Sequence, residues 1–287
     1  MSYIYDVRGT IGDESIASGT GYIKRHIYKW LESWGIRNAK HITAVTQYLA
    51  DHIKMKCFRE DVFVIPSSVN TEMLSISDED AQQSRTKLGY DISDIVLIYS
   101  GGLSHYQQVP AMLNLWRKVL DEEDVHFLLL TNDDPHSKRQ VIGSLDDFGS
   151  RIQHKSVSRK DVPLILASAD IGFMLRDARE LNYAASPVKF AEYLAAGLVI
   201  VASPGTGDAS NLIEEKNIGV LIEPGNYNEG EALIRQLLSN VRKNRSIYRT
   251  RSKSLAYKRY DWKAYIGIYQ ELYSVNLTNS KNINCTF

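Results

Sequence analysis

Short apolar runs alternate with longer amphipathic segments along this chain, most regularly between residues 94 and 240. The runs are rich in Val, Ile and Leu, which is typical of strands buried on both faces of a parallel sheet. The segments between them carry apolar residues at helical spacing, so the pattern indicates an α/β fold with a covered parallel sheet. It predicts strands at 95–99, 125–131, 151–154, 171–175, 198–202 and 219–222, and helices at 109–121, 137–148, 161–168, 187–196, 209–216 and 230–240.

The first 80 residues show the same alternation in shorter elements. The pattern predicts strands at 3–7, 41–45 and 62–66 and helices at 22–34 and 46–56. In the helix at 22–34, Ile, Leu and Trp residues share one face, and basic residues lie on the others. Two interpretations stay open: this apolar face packs against the rest of its domain, or it lies on an anionic membrane surface. The polar, acidic residues 71–84 are predicted to form a linker.

The closing part of the chain carries an aromatic stripe, followed by a polar tail at 276–287. The stripe lies within residues 254–273. Such stripes are more often core than binding surface, so we expect this segment to be buried.

Composition and charge narrow the functional class. The 287 residues include 34 basic and 34 acidic ones, so the formal net charge is zero and nothing points to nucleic acid as a partner. Cys57 and Cys285 lie far apart, which favours neither a disulfide framework nor a metal site. The sequence has no signal-peptide pattern and no apolar run as long as a membrane span, so a cytoplasmic protein is expected.

The segment with the most specific chemistry is SPVKFAEYLAAG, residues 186–197. Ser186 is expected to cap a helix that begins at Pro187. A helix N-terminus attracts anions, Lys189 adds a charge in the first turn, and Glu192 lies one turn further in, where it can reach a ribose diol. The segment thus outlines a nucleotide-sugar site. The alternative is a connecting helix with ordinary solvated charges.

This segment, ASAD at 167–170, and the upstream segments VIPSSVN and YSGGL resemble the donor half of glycosyltransferase family 4, the retaining enzymes of GT-B fold. The resemblance implies a Rossmann-like donor domain at 84–253 and a helix at 254–275 that returns to an N-terminal, acceptor-side domain. Family members carry a segment like DVRG, residues 6–9, late in that domain. Residues 1–80 are therefore expected to be only part of it.

The resemblance also places the donor phosphates. The family's phosphate loop matches Gly101 and Gly102, whose backbone can approach a diphosphate closely. Many members carry an Arg and a Lys just after this loop, whereas here His105 is the only potential cation. Phosphate charge is then expected to be met by Lys189 and Arg176, although Arg176 equally suits a surface ion pair.

The other donor contacts follow from the same resemblance. The ribose is assigned to Glu192, the base to the backbone of Val157 and Ser158, and the sugar to Asn182 and Tyr183. Family members have a second Glu eight residues before the first, and this chain has Ala184 there. No cofactor or metal is implied, and the donor substrate is expected to be a UDP- or GDP-sugar.

Retaining transfer mainly requires electrostatic stabilisation of the departing diphosphate, so Arg176, Lys189 and Glu192 are expected to carry the activity. The expected reaction moves a sugar to a glycan or lipid-linked acceptor in surface polysaccharide synthesis. Two alternatives remain: a non-catalytic donor domain that needs a partner chain, and a GT-B epimerase of UDP-sugars. A complete acceptor domain needs about 150 residues, so self-association or a missing N-terminal partner is also expected.

Overall fold

The computed structural model describes residues 3–10, 21–136, 138–139, 143, 145–177 and 180–280, whose strands form two parallel sheets. The smaller sheet has the order β1-β2-β3, with parallel pairing throughout. Its strands are β1 (Ile4–Val7), β2 (His41–Ala44) and β3 (Val62–Val64), and its helices are α1 (Tyr22–Asn38) and α2 (Gln47–Cys57). These elements confirm the strand and helix pattern predicted for this part of the chain. The loop after DVRG lies outside the described residues.

The larger sheet has six parallel strands in the order β6-β5-β4-β7-β8-β9. They are β4 (Ile95–Ser100), β5 (Val125–Leu130), β6 (Ile152–Lys155), β7 (Ile171–Met174), β8 (Val199–Ala202) and β9 (Gly219–Leu221). All six predicted strands are present, and the predicted α/β fold is confirmed. The strand order reverses between β4 and β7, which makes the gap between their carboxyl ends the topological switch point.

Helices cover both faces of the larger sheet. On one face, Trp116 and Phe127 belong to a core that also contains side chains of the helix Tyr227–Leu255. On the other face, Phe190 and Tyr193 lie in a second core. The helices after α2 are α3 (Thr71–Leu74), α4 (Asp78–Lys87), α5 (Val109–Arg117), α6 (Val162–Ala167), α7 (Glu180–Tyr183), α8 (Val188–Ala196), α9 (Gly207–Glu215), α10 (Tyr227–Leu255) and α11 (Ile266–Ser280).

Two predicted segments differ from the structure. The predicted linker contains α3 and α4, because Asn70 and Ser77 cap the two helices with their side chains. The predicted closing helix is also wrong as a single element: α10 runs to Leu255, a π-helical turn and a 3₁₀ turn follow, and α11 begins at Ile266. The break lies at Asp261, whose backbone pairs with Val69 where the chain leaves the smaller sheet. The predicted helix at 137–148 lies largely outside the described residues.

The expected burial of the closing segment holds only in part. Tyr260 and Leu272 are buried, but Tyr257, Trp262 and Tyr273 are exposed. For α1 two interpretations were open, and the apolar face does not pack against its domain. Its members Ile23, Ile27, Trp30, Leu31 and Trp34 are all exposed. No helix in the described part of the chain combines the length and the apolar character needed to cross a membrane.

Candidate functional site

The candidate site lies at the switch point, where Tyr193 of α8 connects β4 to β7. Its hydroxyl accepts a hydrogen bond from the backbone N–H of Ser100 at 2.8 Å and donates one to the carbonyl of Phe173 at 3.3 Å. The ring is fully buried against Gly172, where a Cβ would come within 2.5 Å of it. This contact fixes α8 against the ends of both strands. Sequence reasoning missed it, because Tyr193 stands in an apolar stretch of the helix.

Lys189, one turn earlier on α8, reaches the loop after β4. Its Nζ lies 4.0 Å from the centre of the Tyr99 ring and donates a hydrogen bond to Gln107 Oε1 at 3.2 Å. Gly101 has a φ of +144°, and a Cβ there would lie 3.0 Å from that Nζ. A side chain at position 101 would therefore push the ammonium group away. The structure thus places Lys189 beside the glycine loop.

Arg176 follows β7 on the other side of the switch point. Its guanidinium donates to Asn182 Oδ1 at 3.3 Å and lies 5.9 Å from the centre of the Tyr106 ring. Its Nε is buried and has no hydrogen-bond partner among the described residues. No ion pair joins Arg176 to an acidic side chain among those that the structure describes, which do not include the side chain of Glu180. The surface ion pair considered from the sequence therefore stays an open alternative.

Burial shifts the protonation of all three charged groups at the site. Burial and, to a smaller extent, the nearby charge of Arg176 lower the pKa of Lys189 to about 7, while Glu192 opposes the shift. Burial also lowers the pKa of Arg176. Burial raises the pKa of Glu192, with Arg159 and Lys189 acting in the opposite direction. Two desolvated cations beside one carboxylate form a site that an anionic ligand would stabilise.

The predicted sugar-facing residues are engaged within the protein. Asn182 is buried, and its amide donates to the backbone and side chain of Asp177 while it accepts from Arg176. It therefore positions Arg176. Half of the Tyr183 surface is exposed, and its ring lies 5.8 Å from that of Tyr48 on α2.

The predicted cap of α8 was wrong. Ser186 Oγ accepts a hydrogen bond from the backbone N–H of Ser67 at 3.0 Å, and Ser67 lies in the segment that follows β3 of the smaller sheet. The Ser186 hydroxyl therefore does not cap α8. Pro187 occupies the N-cap position, and no described side chain caps the helix. The first N–H groups of α8 are therefore free of side-chain acceptors. Ala184 is buried, and its carbonyl accepts from Thr46 Oγ1 at 3.4 Å.

The remaining predicted residues lie around the cluster. Gly102 follows Gly101, and the loop is held by Asp133, whose carboxylate accepts the backbone N–H of Leu103 at 2.7 Å. His105 is exposed on a 3₁₀ turn. The hydrogen bond from Leu103 to Asp133 was not predicted, because the only feature of Asp133 in the sequence is its position after a strand.

The loop after β6 carries the two residues predicted to hold the base. Val157 packs partly against the second core of the larger sheet. Ser158 is exposed, and its hydroxyl donates to Asp161 at 2.6 Å. The described contacts of Lys189 include neither Val157 nor Ser158. The role of these two residues in holding the base stays a prediction.

Comparison with known proteins identifies the family of this fold. Residues 80–254, more than half of the chain, match the family described as Glycosyl transferases group 1. The chain belongs to this family. It is therefore a glycosyltransferase, and its match spans both the glycine loop and α8. No curated protein matches the chain by sequence.

Solved structures with the same architecture are distant in sequence. Sucrose-phosphate synthase from Thermosynechococcus elongatus has a TM-score of 0.77 at 14% identity, covering 97% of this chain and 69% of that one. Anabaena HepE in complex with UDP has a TM-score of 0.74 at 16% identity, covering 96% and 72%. It has also been solved with UDP-glucose. WaaG, a glycosyltransferase involved in lipopolysaccharide biosynthesis, has a TM-score of 0.69 at 16% identity, covering 92% and 74%. The fold of this family member is thus of GT-B type.

Proposed function

We propose that this chain is a cytoplasmic member of family 4 that transfers a sugar from a UDP- or GDP-sugar, with retention, to a glycan or lipid-linked acceptor in surface polysaccharide synthesis. Residues 84–253 serve as the donor domain. The solved complexes of HepE with UDP and UDP-glucose favour the uridine nucleotide for this chain. The description of WaaG favours a cell-surface glycan as the product.

The observation that carries this proposal is the cation pair at the switch point. Lys189 on α8 lies beside Gly101, and Arg176 after β7 faces Tyr106, which follows the same loop. Burial makes both cations costly unless an anion neutralises them. A diphosphate bound against Gly101 and the uncapped start of α8 would supply that anion. The same groups would then stabilise the diphosphate as it departs with the pair of electrons from the glycosidic bond. Glu192 would bind the ribose hydroxyls.

A second candidate function is nucleotide binding without transfer. It is favoured by Ala184, which stands where the resembling family carries a Glu facing the donor sugar. This residue is buried, and its carbonyl is already bonded to Thr46. Neither Asn182 nor Tyr183 supplies a carboxylate in its place. A chain that binds the nucleotide without transferring the sugar would keep Lys189 and Arg176 and lack this carboxylate.

Calorimetry with UDP and GDP, together with turnover of their sugars, tests the proposal. Glu192→Gln should weaken nucleotide binding about tenfold or more, because a charge-assisted hydrogen bond contributes roughly 1.5 to 3 kcal/mol. Glu215→Gln, an exposed position on α9, is the matched control and should bind normally. Unchanged affinity in Glu192→Gln would remove this residue from the site.

The turnover assay separates the two candidates. Release of UDP or GDP together with a glycoside of unchanged anomeric configuration supports retaining transfer. Tight nucleotide binding without any turnover, with acceptors present, supports the second candidate. An inverted product would overturn retention while leaving the binding site intact.

A further inference from the structure

Helix α1 exposes a continuous apolar face. The side chains of Ile23, Ile27, Trp30, Leu31 and Trp34 are between 46% and 75% exposed. At about 100° per residue these five positions fall in one stripe about 100° wide. Exposed apolar residues are normal when scattered, whereas a contiguous stripe with two tryptophans marks an interaction surface.

The other faces and the C-terminal end of α1 hold the helix in place. Ile36 is buried in the core of the smaller sheet, and Gly35 packs so closely on Tyr5 that a Cβ would lie 2.6 Å from its ring. Arg59 donates to the carbonyls of Ile36, Arg37 and Ala39, which secures the end of the helix. The apolar stripe therefore points away from the protein on a firmly seated helix.

Charge is concentrated around this stripe. The helix Tyr22–Asn38 contains four Lys or Arg and one acidic residue, Glu32, a net charge of +3 in a chain whose total is zero. Lys24 and Arg37 are exposed and lie about 20° beyond the two edges of the stripe. An apolar stripe bordered by cations is complementary to a surface that is apolar inside and anionic at its rim.

We propose that the exposed face of α1 lies on an anionic lipid surface, with Trp30 and Trp34 among the headgroups and Lys24 and Arg37 paired with lipid phosphates. Tryptophan rings prefer this interfacial depth, and a basic amphipathic helix gains from both burial and attraction to anionic lipid. A second copy of the chain fits less well, because two helices of charge +3 would repel each other. The inference does not depend on the nucleotide site.

The test is co-sedimentation of the full chain with phosphatidylcholine vesicles, with and without phosphatidylglycerol. We expect binding only with the anionic lipid, weakened by salt. Trp30→Glu with Trp34→Glu should reduce binding at least about tenfold. Lys24→Glu with Arg37→Glu should reduce it about 25-fold or more, since each basic residue near the surface contributes about fivefold.

The matched control substitutions are at positions far from α1 in the sequence. Ile247→Glu replaces an apolar residue of similar exposure on α10, and Lys216→Glu with Lys243→Glu inverts two exposed charges. Both should bind vesicles like the parent, and circular dichroism should show all variants folded. Equal binding to neutral vesicles, no binding, or tryptophan variants that bind normally would each overturn the proposal. So would a dimer in light scattering that the tryptophan variant abolishes without any lipid binding.

Discussion

The two sheets differ in how they depart from the rule that apolar groups are buried and charges exposed. The larger sheet buries its apolar side chains almost completely, with Trp116 at 0% exposure, yet it also draws Lys189 and Arg176 into low-dielectric surroundings. At the smaller sheet the departure concerns apolar groups instead. Its helix α1 leaves Trp30 and Trp34 exposed at 64% and 54%.

Each departure destabilises the isolated chain and marks a surface that a partner would complete. Desolvated cations are stabilised by an anion, and an exposed apolar stripe is stabilised by an apolar phase. Sites where a protein violates its local folding rules are often its functional sites. The comparison therefore supports the proposed nucleotide-sugar site at the larger sheet and the proposed lipid contact at the smaller one.

The largest expected effect compares tryptophans from the two regions. Trp116→Ala should lower the free energy of unfolding by about 3–5 kcal/mol, because it removes a fully buried ring packed against Phe127 and Phe173. Trp34→Ala should change it by no more than about 0.5 kcal/mol. Urea denaturation measures both. A large loss in Trp34→Ala would mean that the stripe on α1 is part of the core.

Lys189→Met should separate stability from function at the larger sheet. Burial holds the pKa of Lys189 at about 7, below its ordinary 10.5, so the unfolded chain binds a proton between these pH values while the folded chain does not. The folded state therefore loses stability as the pH falls from 10.5 to 7. Met removes this penalty, so the variant should be more stable than the parent at pH 7. It should bind UDP about tenfold or more weakly, because a charge-assisted contact is lost.

Proton uptake provides the sharper readout for this residue. A diphosphate beside Lys189 should raise its pKa, so UDP binding at pH 8 should take up protons in the parent and not in Lys189→Met. Calorimetry in buffers of different ionisation enthalpy detects this. Equal apparent enthalpies for the parent in all buffers would show that this ammonium group does not meet phosphate.

The smallest expected effect lies at the contact between the two regions. Ser186→Ala leaves the backbone N–H of Ser67 without its acceptor and should lower stability by about 1 kcal/mol. Hydrogen exchange should accelerate in α2 and stay unchanged in β4. Ser158→Ala, which removes a bond within one exposed loop, is the control and should have less effect. Faster exchange throughout both sheets would indicate that they unfold as one unit.

Part of the candidate site was predictable because it follows from strand order. In a parallel sheet all strands end at the same edge, so Gly101 after β4, Arg176 after β7 and Lys189 at the start of α8 were expected near one another. The identity of these side chains and their spacing are local properties. They needed no knowledge of what packs against them.

The contacts of Tyr193, Ser186 and Asp133 were not predictable, since each joins residues distant in sequence. Ser186 has the composition and position of a helix cap, and its hydroxyl is instead taken by Ser67, 119 residues away. A polar group bonds to whichever partner tertiary structure brings to it. Local pattern cannot rank partners that come from another sheet.

The sequence by itself determined the alternation of strands and helices, the apolar stripe of α1 and the charges of the α8 segment. Periodicity and composition depend only on the order and type of the residues. Only the tertiary structure decided that the stripe faces away from the smaller sheet and that Lys189 is desolvated beside Tyr99. Periodicity defines which residues share a face. Burial depends on what the rest of the chain places against that face.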